Sequence, residues 1–487
     1  MGPDRESEGF IVPIEVTGQH NPRLREGTLL CSCNRRVKER GIALLTTPET
    51  IRTLQRKLYA KAKQEPDYRF YALYDKLWRE DILMFAYRLV RANKGSPGID
   101  GVSFEAIESG EGVEAFTLKL AQSLKERSYQ TSAVRRVMIP KSDGSERPLG
   151  IPTIRDRVAQ MAMKLVIEPI FEADFCPTSY GFRPKKSAHD AVDAIAESLH
   201  QGYTEVIDAD LSKYFDSIPH RKLLAVVAER IVDGGILHLI KQWLKAAVIE
   251  EDKDGTRRNV GGGKANSIGT PQGGVISPLL SNCYLHLLDR IWQRHELDKK
   301  LGAKIVRYAD DFVVLCKRGV DAPLHAVRSI LDRLELKLNE DKTHIKNANT
   351  ERFTFLGFEI GQRTSWKSGR RYTHIAPSAK SIAKIKARTT ELTQRRRTLI
   401  PLPDVVRSVN ASLRGWCSYF HYRNCSLAML KVKTHAEERL RTHLMRRHKV
   451  HDRRIGFGRF PGDQLYVRYG LYKVSTKAGW TSAHASV

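Results

Sequence analysis

The sequence predicts an α+β protein that continues into a basic, mainly helical C-terminal region. Three observations predict this class. Short apolar runs typical of strands alternate with helix-length segments up to about Ile360. A strand–turn–strand pattern occurs between Val134 and Ile151. After residue 380, clusters of basic residues alternate with apolar and aromatic residues, which indicates packed helices with one basic face.

The composition is that of a globular protein with a polyanionic partner. The 487 residues include 82 Lys and Arg against 55 Asp and Glu, a formal charge of +27. Such an excess points to nucleic acid. Because no run of about 18 apolar residues occurs, we expect no membrane partner. The seven scattered cysteines and the polar, acidic N-terminus, which lacks a targeting signal, favour a cytoplasmic protein of bacterial origin.

The N-terminal part is predicted to be irregular at first and then helical. Residues 1–46 form an irregular leader, and Thr47 to Asn93 follows a helical pattern that starts with Thr-Pro-Glu. Further on, Val134–Pro140 and Arg147–Ile151 have the pattern of strands. The Ser-Asp-Gly segment between them, at residues 142–144, suits a hairpin turn.

Two segments contain candidate catalytic carboxylates. In residues 206–218 a short apolar strand leads into Asp210. In residues 304–316 two β-rich runs flank Asp310 and Asp311, so this pair is expected at or beside a hairpin turn. Neighbouring strands of one sheet would bring the two segments together.

The chemistry of these carboxylates depends on their surroundings. A single aspartate at a strand end is more often a cap or turn residue, and Asp208 and Asp216 are assigned to that structural role. Like charges between apolar strands repel each other, and their burial is costly unless a cation neutralises them. Aspartate oxygens suit Mg²⁺, which also binds substrate phosphates. Two such ions, about 4 Å apart, would activate a 3′-hydroxyl and stabilise the departing pyrophosphate.

The order of these segments resembles the palm of reverse transcriptases. Tyr308-Ala-Asp-Asp311 follows the Asp210 segment, and the Gly269–Asn282 segment (GTPQGGVISPLLSN) lies between them. Further segments that resemble this family, in order, are Ile139–Pro152, Ser179–Pro184, Leu338–Thr343 and Phe355–Phe358. The closest resemblance is to group II intron-encoded reverse transcriptase/maturases, which the Asn93–Gly101 loop and the Arg414-Gly-Trp416 segment support. The resemblance extends over roughly residues 47–440.

The resemblance implies a right-hand polymerase with fingers, a palm built on an antiparallel sheet, and a mainly helical thumb/maturase domain. The expected divisions are a leader at 1–46, fingers with part of the palm at 47–205, palm at 206–365, thumb/maturase domain at 366–454, and a tail at 455–487 that is a possible DNA-contacting element.

The resemblance also implies the catalytic roles. Asp210, Asp310 and Asp311 would hold two Mg²⁺ ions and form the catalytic set. Phe215 would lie under the sugar of the incoming nucleotide, where a ring would clash with a ribose 2′-hydroxyl; the alternative is ordinary core packing. Lys342 would either assist proton transfer to pyrophosphate or be a surface lysine.

Further residues are expected to bind the nucleotide. Lys141 and Arg147 flank the predicted hairpin turn, where two cations would clasp a triphosphate unless they are solvated turn charges. Gln272 would face the nucleotide, and the following glycines would let the backbone approach the substrate. Ser277 is expected to cap a helix that has Pro278 in its first turn and ends at Leu288.

The partners that the resemblance implies are an intron RNA template, a DNA primer or target, and deoxynucleoside triphosphates. The segment from Lys380 to Arg454 contains 19 Lys or Arg and 5 Asp or Glu. It would hold RNA or an RNA–DNA duplex through backbone contacts and thereby assist splicing of the intron RNA. Trp416 and Tyr419 would either stack on bases or pack in a helix core.

The leading hypothesis is thus a Mg²⁺-dependent RNA-directed DNA polymerase that also assists splicing and mobility of its intron. Three alternatives remain at this point. The first is a non-catalytic RNA-binding splicing factor with a relic palm. The second is a domesticated reverse transcriptase that works in defence or DNA repair, and the third is a polymerase that makes RNA.

Overall fold

The computed structural model describes residues 45–140, 146–252 and 254–478. Within these ranges the chain forms eighteen α-helices and eleven β-strands, and the predicted α+β class is confirmed. Residues 1–44 of the predicted leader, Lys141 and the predicted turn at residues 142–144 lie outside the described residues. No helix in the described part of the chain is both long and apolar enough to cross a membrane.

The first part of the described chain is mainly helical. Its elements are α1 (Glu49–Gln64), α2 (Tyr74–Leu77), α3 (Glu80–Ala92), α4 (Phe104–Ser109), α5 (Val113–Lys125), β1 (Val134–Pro140), β2 (Glu146–Ile151), α6 (Ile154–Asp174) and α7 (Ala188–His200). The helical pattern predicted from Thr47 to Asn93 is confirmed by α1 to α3. Thr153 caps α6 by accepting a hydrogen bond from the Asp156 amide. Because α6 is apolar on most sides, it is buried between its neighbours.

The middle of the chain alternates short strands with helices. Its elements are β3 (Glu205–Ala209), α8 (Tyr214–Ser217), α9 (His220–Arg230), α10 (Gly234–Leu244), β4 (Val248–Glu251), β5 (Arg257–Gly261), α11 (Ser277–Arg294), α12 (Leu297–Lys300), β6 (Ala303–Tyr308), β7 (Asp311–Cys316), α13 (Asp321–Arg333) and β8 (His344–Asn347). The expectation for α11 was wrong in two details, since Ile276 rather than Ser277 is the N-cap residue and the helix continues past Leu288 to Arg294.

Four strands of this middle part form an antiparallel sheet in the order β6-β7-β3-β8. Residues 312–316 of β7 are all buried, which explains why this strand is a continuous apolar run rather than an alternating one. The Trp292 side chain of α11 donates a hydrogen bond to the Ala303 carbonyl at the start of β6. The sheet therefore has helices against it and its central strands lie in the core.

A second sheet contains the predicted hairpin. Strands β1 and β2 pair antiparallel from Arg135 opposite Ile151 to Pro140 opposite Glu146, as predicted. The sheet continues through β4, which runs parallel to β1, to β5 at the other edge. The pairing of β1 with β4 joins residues more than 100 positions apart, so local sequence patterns did not reveal it.

The C-terminal part is a small antiparallel sheet followed by helices. Its elements are β9 (Phe353–Phe355), β10 (Phe358–Thr364), β11 (Arg371–Pro377), α14 (Ala379–Leu392), a 3-10 turn (Arg395–Arg397), α15 (Leu402–Phe420), α16 (Ser426–Arg447), α17 (Arg453–Arg459) and α18 (Gly462–Val467). The β10–β11 hairpin extends across residue 366, where the sequence predicted a domain boundary.

Aromatic side chains join this small sheet to the C-terminal helices. Phe358 of β10 is completely buried, with its ring centroid 5.4 Å from that of Tyr419 and 5.2 Å from that of Phe420. The Tyr419 hydroxyl donates a hydrogen bond to the Leu356 carbonyl at 3.0 Å. Of the two roles predicted for Tyr419, these contacts favour core packing over base stacking. Trp416 likewise packs on Phe420, with centroids 4.9 Å apart.

We expect Phe358→Ala to lower the stability of this junction by about 3–5 kcal/mol, because a large buried ring would be replaced by a cavity. Urea denaturation followed by tryptophan fluorescence would measure the loss. Trp366→Ala, in the same hairpin but with 89% of its surface exposed, is the control and should change stability by less than about 0.5 kcal/mol. Equal effects of the two substitutions would contradict the aromatic junction.

Candidate active site

The predicted carboxylates meet at one end of the antiparallel sheet. Strands β3 and β7 are paired from Glu205 opposite Cys316 to Ala209 opposite Phe312. Asp210 follows the last pair on β3, and Asp311 precedes it on β7. Directly opposed residues of antiparallel strands have Cα atoms about 4.5–5.5 Å apart, so the fold brings these two sequence segments together.

The turn between β6 and β7 carries the third carboxylate. Tyr308 pairs with Asp311, which leaves Ala309 and Asp310 as a two-residue connection. Ala309 has a φ of 59°, a left-handed conformation that is unusual for a residue with a side chain. Positive φ at the first central residue alone is the pattern of a type II′ turn, which matches the twist of the flanking strands. The hairpin turn predicted for Asp310 and Asp311 is therefore confirmed.

The carboxylate end of the sheet also contains a cation. The Lys342 ammonium lies 3.7 Å from Asp210 Oδ2, and the Lys342 side chain is 34% exposed against 12% for Asp210. Lys342 was predicted either to assist proton transfer or to be a surface lysine. It is partly exposed, and it also contacts Asp210, a predicted catalytic residue, so its position is compatible with both roles.

The donor set fits a hard divalent cation in its chemistry. All three predicted ligands are carboxylates, the ligand type that Mg²⁺ prefers. Among the described residues no group of three or more His, Cys, Asp or Glu side chains is gathered closely enough to hold a metal ion. Asp210, Asp310 and Asp311 therefore do not form a closed three-ligand site in this structure, and their role as metal ligands stays a prediction.

A polar chain connects the predicted nucleotide-binding residues. Arg147 Nε of β2 donates to Gln272 Oε1 at 3.0 Å, and Gln272 Nε2 lies 3.5 Å from both carboxylate oxygens of Asp216. Burial raises the pKa of Asp216, and the contact with Gln272 opposes that rise. The sequence assigned only a structural role to Asp216, and its contact with Gln272 required the folded chain to be seen.

The Pro-Gln-Gly-Gly turn packs closely on the β1–β2 hairpin. The Gly150 amide of β2 donates to the Gln272 carbonyl at 2.6 Å. Gly273 has a φ of 107°, and a Cβ atom at this residue would lie 2.2 Å from the Gly150 carbonyl oxygen. The glycine at position 273 is thus required by contact with the protein's own backbone, and the substrate approach expected there stays a prediction.

Phe215 lies beside the same turn. Its backbone carbonyl accepts a hydrogen bond from the Thr270 amide at 2.7 Å, and its side chain is only 4% exposed. The ring packs edge-on against Tyr214, with centroids 5.4 Å apart. The fold therefore brings Phe215 and Gln272 to one place, with the Phe215 ring mostly inside the core.

The sequence analysis missed three polar residues beneath the β6–β7 turn, Arg307, Asp289 and Asn282. All three are buried, and Arg307 Nη1 donates to the Ala309 carbonyl at 2.8 Å. The signal that could have revealed them is an arginine inside an otherwise apolar strand and an aspartate inside a mainly apolar helix, because buried charges are rare unless they are paired.

Comparisons with known proteins agree with this geometry. A family model described as reverse transcriptase (RNA-dependent DNA polymerase) matches residues 139–360, and a group II intron maturase-specific domain model matches residues 382–459. The first range includes the three carboxylates, and the second coincides with most of helices α14 to α17.

Individual relatives give the same result. Protein YkfC of Escherichia coli is 36% identical over 369 residues, which cover 68% of this chain and 93% of YkfC. The group II intron-encoded protein LtrA of Lactococcus lactis is 31% identical, over 69% of this chain and 62% of LtrA. A 91 kDa protein in the cob intron of Schizosaccharomyces pombe is 27% identical, over 72% and 50%. The chain thus spans nearly all of YkfC and only 50–62% of the other two.

Among solved structures, a partial Cas6-RT-Cas1–Cas2 complex matches 53% of this chain and 42% of its own, with 22% identity and a TM-score of 0.32, a value too low to support any conclusion. The family models and the match to YkfC do not depend on it. On these grounds, the chain belongs to the group II intron-encoded reverse transcriptases, RNA-dependent DNA polymerases that carry a maturase domain.

Proposed function

We propose that this protein polymerises deoxynucleotides on an RNA template with Asp210, Asp310 and Asp311 as its catalytic residues. Enzymes of this family use divalent metal ions and act on nucleic acid. In the proposal the three carboxylates hold two Mg²⁺ ions. When bound, these ions supply charge that activates the primer 3′-hydroxyl and stabilises the departing pyrophosphate. The main support is the β3–β7 register, whose last pair, Ala209 opposite Phe312, is directly followed by Asp210 and directly preceded by Asp311, beside the Ala309–Asp310 turn.

The reaction forms one bond and breaks one bond at phosphorus. The primer 3′-oxygen bonds to the α-phosphorus of the nucleotide, its proton is lost, and the bond to pyrophosphate breaks. In the proposal the residues of this chain orient the reactants, because phosphoryl transfer depends mainly on positioning and on compensation of charge. Arg147 and Gln272 would bind the nucleotide, with Lys141 as a further triphosphate contact.

The Arg147–Gln272–Asp216 chain supports a nucleotide site between the β1–β2 hairpin and α8. The two proposed nucleotide contacts already touch each other, so neither needs a large movement to reach a common ligand. Phe215, at the same place, would exclude a ribose 2′-hydroxyl by shape. The proposed division into fingers, palm, thumb/maturase domain and tail uses the predicted boundaries at residues 47, 206, 366 and 455, of which residue 366 lies inside the β10–β11 hairpin.

The basic C-terminal helices would hold intron RNA and the RNA–DNA duplex. Arg395 and Arg396 are exposed in the 3-10 turn between α14 and α15, and a cleft of about 340 Å³ between α15 and the segment after α18 is lined by Arg407, Arg414 and Arg468. Cations on folded helices bind phosphates by releasing counterions, which needs no base contact. Binding of the splicing-competent RNA fold would stabilise that fold and thereby assist splicing.

Asp310→Ala should lower the rate of DNA synthesis on an RNA template by about 10³-fold or more, because a metal ligand is worth several kcal/mol in the transition state. Single-nucleotide incorporation with purified protein and Mg²⁺ would measure this. Asp332→Ala, on the exposed face of α13, is the matched control and should leave the rate unchanged. Equal rates for wild type and Asp310→Ala would favour a non-catalytic splicing factor instead.

Phe215→Ala should reduce the preference for deoxynucleotides over ribonucleotides by at least about tenfold, because selection by a steric clash disappears with the ring. The ratio of kcat/KM for the two nucleotides is the measurement. Tyr214→Phe removes only a hydroxyl that donates to the Ser281 carbonyl, so its selectivity should equal that of the wild type. Unchanged selectivity in Phe215→Ala would leave Phe215 a core residue.

Replacement of Arg395, Arg396 and Arg397 by glutamine should weaken RNA binding and flatten its salt dependence. Each lost phosphate contact removes about 0.7–0.9 from the slope of log K against log salt, so three contacts would remove about 2–3. Filter binding at several salt concentrations would measure the slope. Lys299→Gln with Lys300→Gln, in the exposed helix α12, is the control. An unchanged slope would exclude this cluster from the RNA interface.

A further inference from the structure

A buried ion pair lies directly behind the turn that carries Asp310. Arg307 of β6 is 0% exposed and Asp289 of α11 is 1% exposed. Arg307 Nε donates to both carboxylate oxygens of Asp289, at 3.0 and 3.1 Å, and Nη2 makes a further contact with Asp289. Removal of two charges from water is unfavourable, and apolar residues of similar size often serve stability equally well. Stability alone therefore does not account for a charged pair at this position.

The other edge of the guanidinium reaches the turn itself. Arg307 Nη1 donates to the Ala309 carbonyl at 2.8 Å and to Asn282 Oδ1 at 3.1 Å. Because the guanidinium is planar and rigid, its contact with Asp289 on one edge fixes the direction of Nη1 on the other. Burial opposes the charged form of Arg307, but the Asp289 carboxylate outweighs this effect and the net pKa is raised.

A second set of contacts holds the turn from the outside. The Asn282 amide donates to the Gly181 carbonyl at 2.7 Å. A Cβ atom at Gly181 would lie 2.3 Å from the Ala309 nitrogen, so only a residue without a side chain allows this approach. The Tyr180 amide also donates to the Arg307 carbonyl, at 2.8 Å. The turn is thus enclosed between the guanidinium and the backbone of residues 180–181.

We propose that Arg307 is a positioning residue for DNA synthesis. With Asp289 as its counter-ion and Asn282 as a brace, it fixes the Ala309 carbonyl and the left-handed turn, and thereby the directions of the Asp310 and Asp311 carboxylates. This inference rests on the proposed function, because it assumes that those carboxylates bind the metal ions. Because Arg307 is completely buried, its proposed role is to orient the turn and not to bind the substrate.

The decisive variant is the double substitution Arg307→Met with Asp289→Leu. It removes both buried charges together and fills their space with apolar side chains, so that no unpaired charge is left in the core. Three properties are measured: the urea midpoint, hydrogen–deuterium exchange of the peptide that covers residues 305–316, and kcat and KM for a deoxynucleotide. Exchange reports on the turn whether or not the protein is active, and it uses the full chain.

If Arg307 positions the turn, the double variant keeps a urea midpoint close to that of the wild type while its turn amides exchange faster. Its kcat should fall about 10- to 100-fold, the usual effect of removing a residue that orients metal ligands, while KM stays nearly constant. A folded double variant with wild-type kcat and wild-type turn exchange would overturn the proposal. If the wild type makes no DNA, the proposed function fails, but the exchange comparison still tests the role of Arg307.

Arg307→Lys is the second variant, and it decides the matter if the double variant does not fold. A lysine keeps the charge beside Asp289, but its single nitrogen cannot bond Asp289, Asn282 and Ala309 at once in the fork geometry. Lower kcat and faster turn exchange are expected, and wild-type values of both would contradict the proposal.

Arg230→Met is the matched control. Arg230 is also buried, at 7% exposed; it pairs with Asp174 at 2.9 Å and donates to the Ala62 carbonyl at 2.7 Å, among the N-terminal helices. This variant should have a lower urea midpoint and unchanged turn exchange. Equally fast turn exchange in Arg230→Met would mean that loss of any buried arginine loosens the turn, and it would overturn a specific role for Arg307.

Discussion

The placement of two adjacent carboxylates on a tight turn is the constraint on which this palm depends. Asp310 and Asp311 lie at the same end of the paired strands β3 and β7 as a third carboxylate, Asp210, and like charges brought close together repel. The turn also holds Ala309 in a left-handed conformation, which is unfavourable by about 1–2 kcal/mol for a residue with a Cβ atom. Neither feature is stable by itself. Contacts made behind the turn by Arg307, and the close approach of the backbone at Gly181, stabilise the hairpin against these unfavourable terms.

The same constraint connects the N-terminal half of the chain to the palm. Gly181 belongs to a segment that follows α6, and Arg183 holds this segment by donating to the Cys176 and Ser179 carbonyls at 2.6 and 2.7 Å. On the other side of the site, Gly150 of β2 and Gln272 are joined through their backbones. Segments that are separate motifs in the sequence are therefore in direct contact around the site. A change in one of them is expected to alter the geometry of the others.

Features set by local pattern could be predicted from the sequence, whereas features set by distant contacts could not. The hairpins around residues 134–151 and at Asp310 were predictable because alternation and turn residues lie within a few positions of each other. The partner of Arg307 was not, since Asp289 and Asn282 are 18 and 25 positions away and nothing local specifies which acid meets which base. Ser277 shows the same limit, because its hydroxyl bonds the Pro271 carbonyl instead of capping α11.

The ion pair between Lys342 and Asp210 shows how a strongly basic protein can neutralise part of an acidic site with a cation that is able to leave it. At 3.7 Å, and with the lysine one-third exposed, this pair contributes about 0–1 kcal/mol, and its ammonium partly offsets the negative charge of Asp210. The proposed divalent cation would carry twice the charge and bond several carboxylate oxygens at once, so it would replace the ammonium at little loss. The buried Arg307 guanidinium, in contrast, is hydrogen-bonded on both edges, to Asp289 and to the Ala309 carbonyl. One cation thus stays as part of the scaffold, while the other can leave when the proposed metal ions bind.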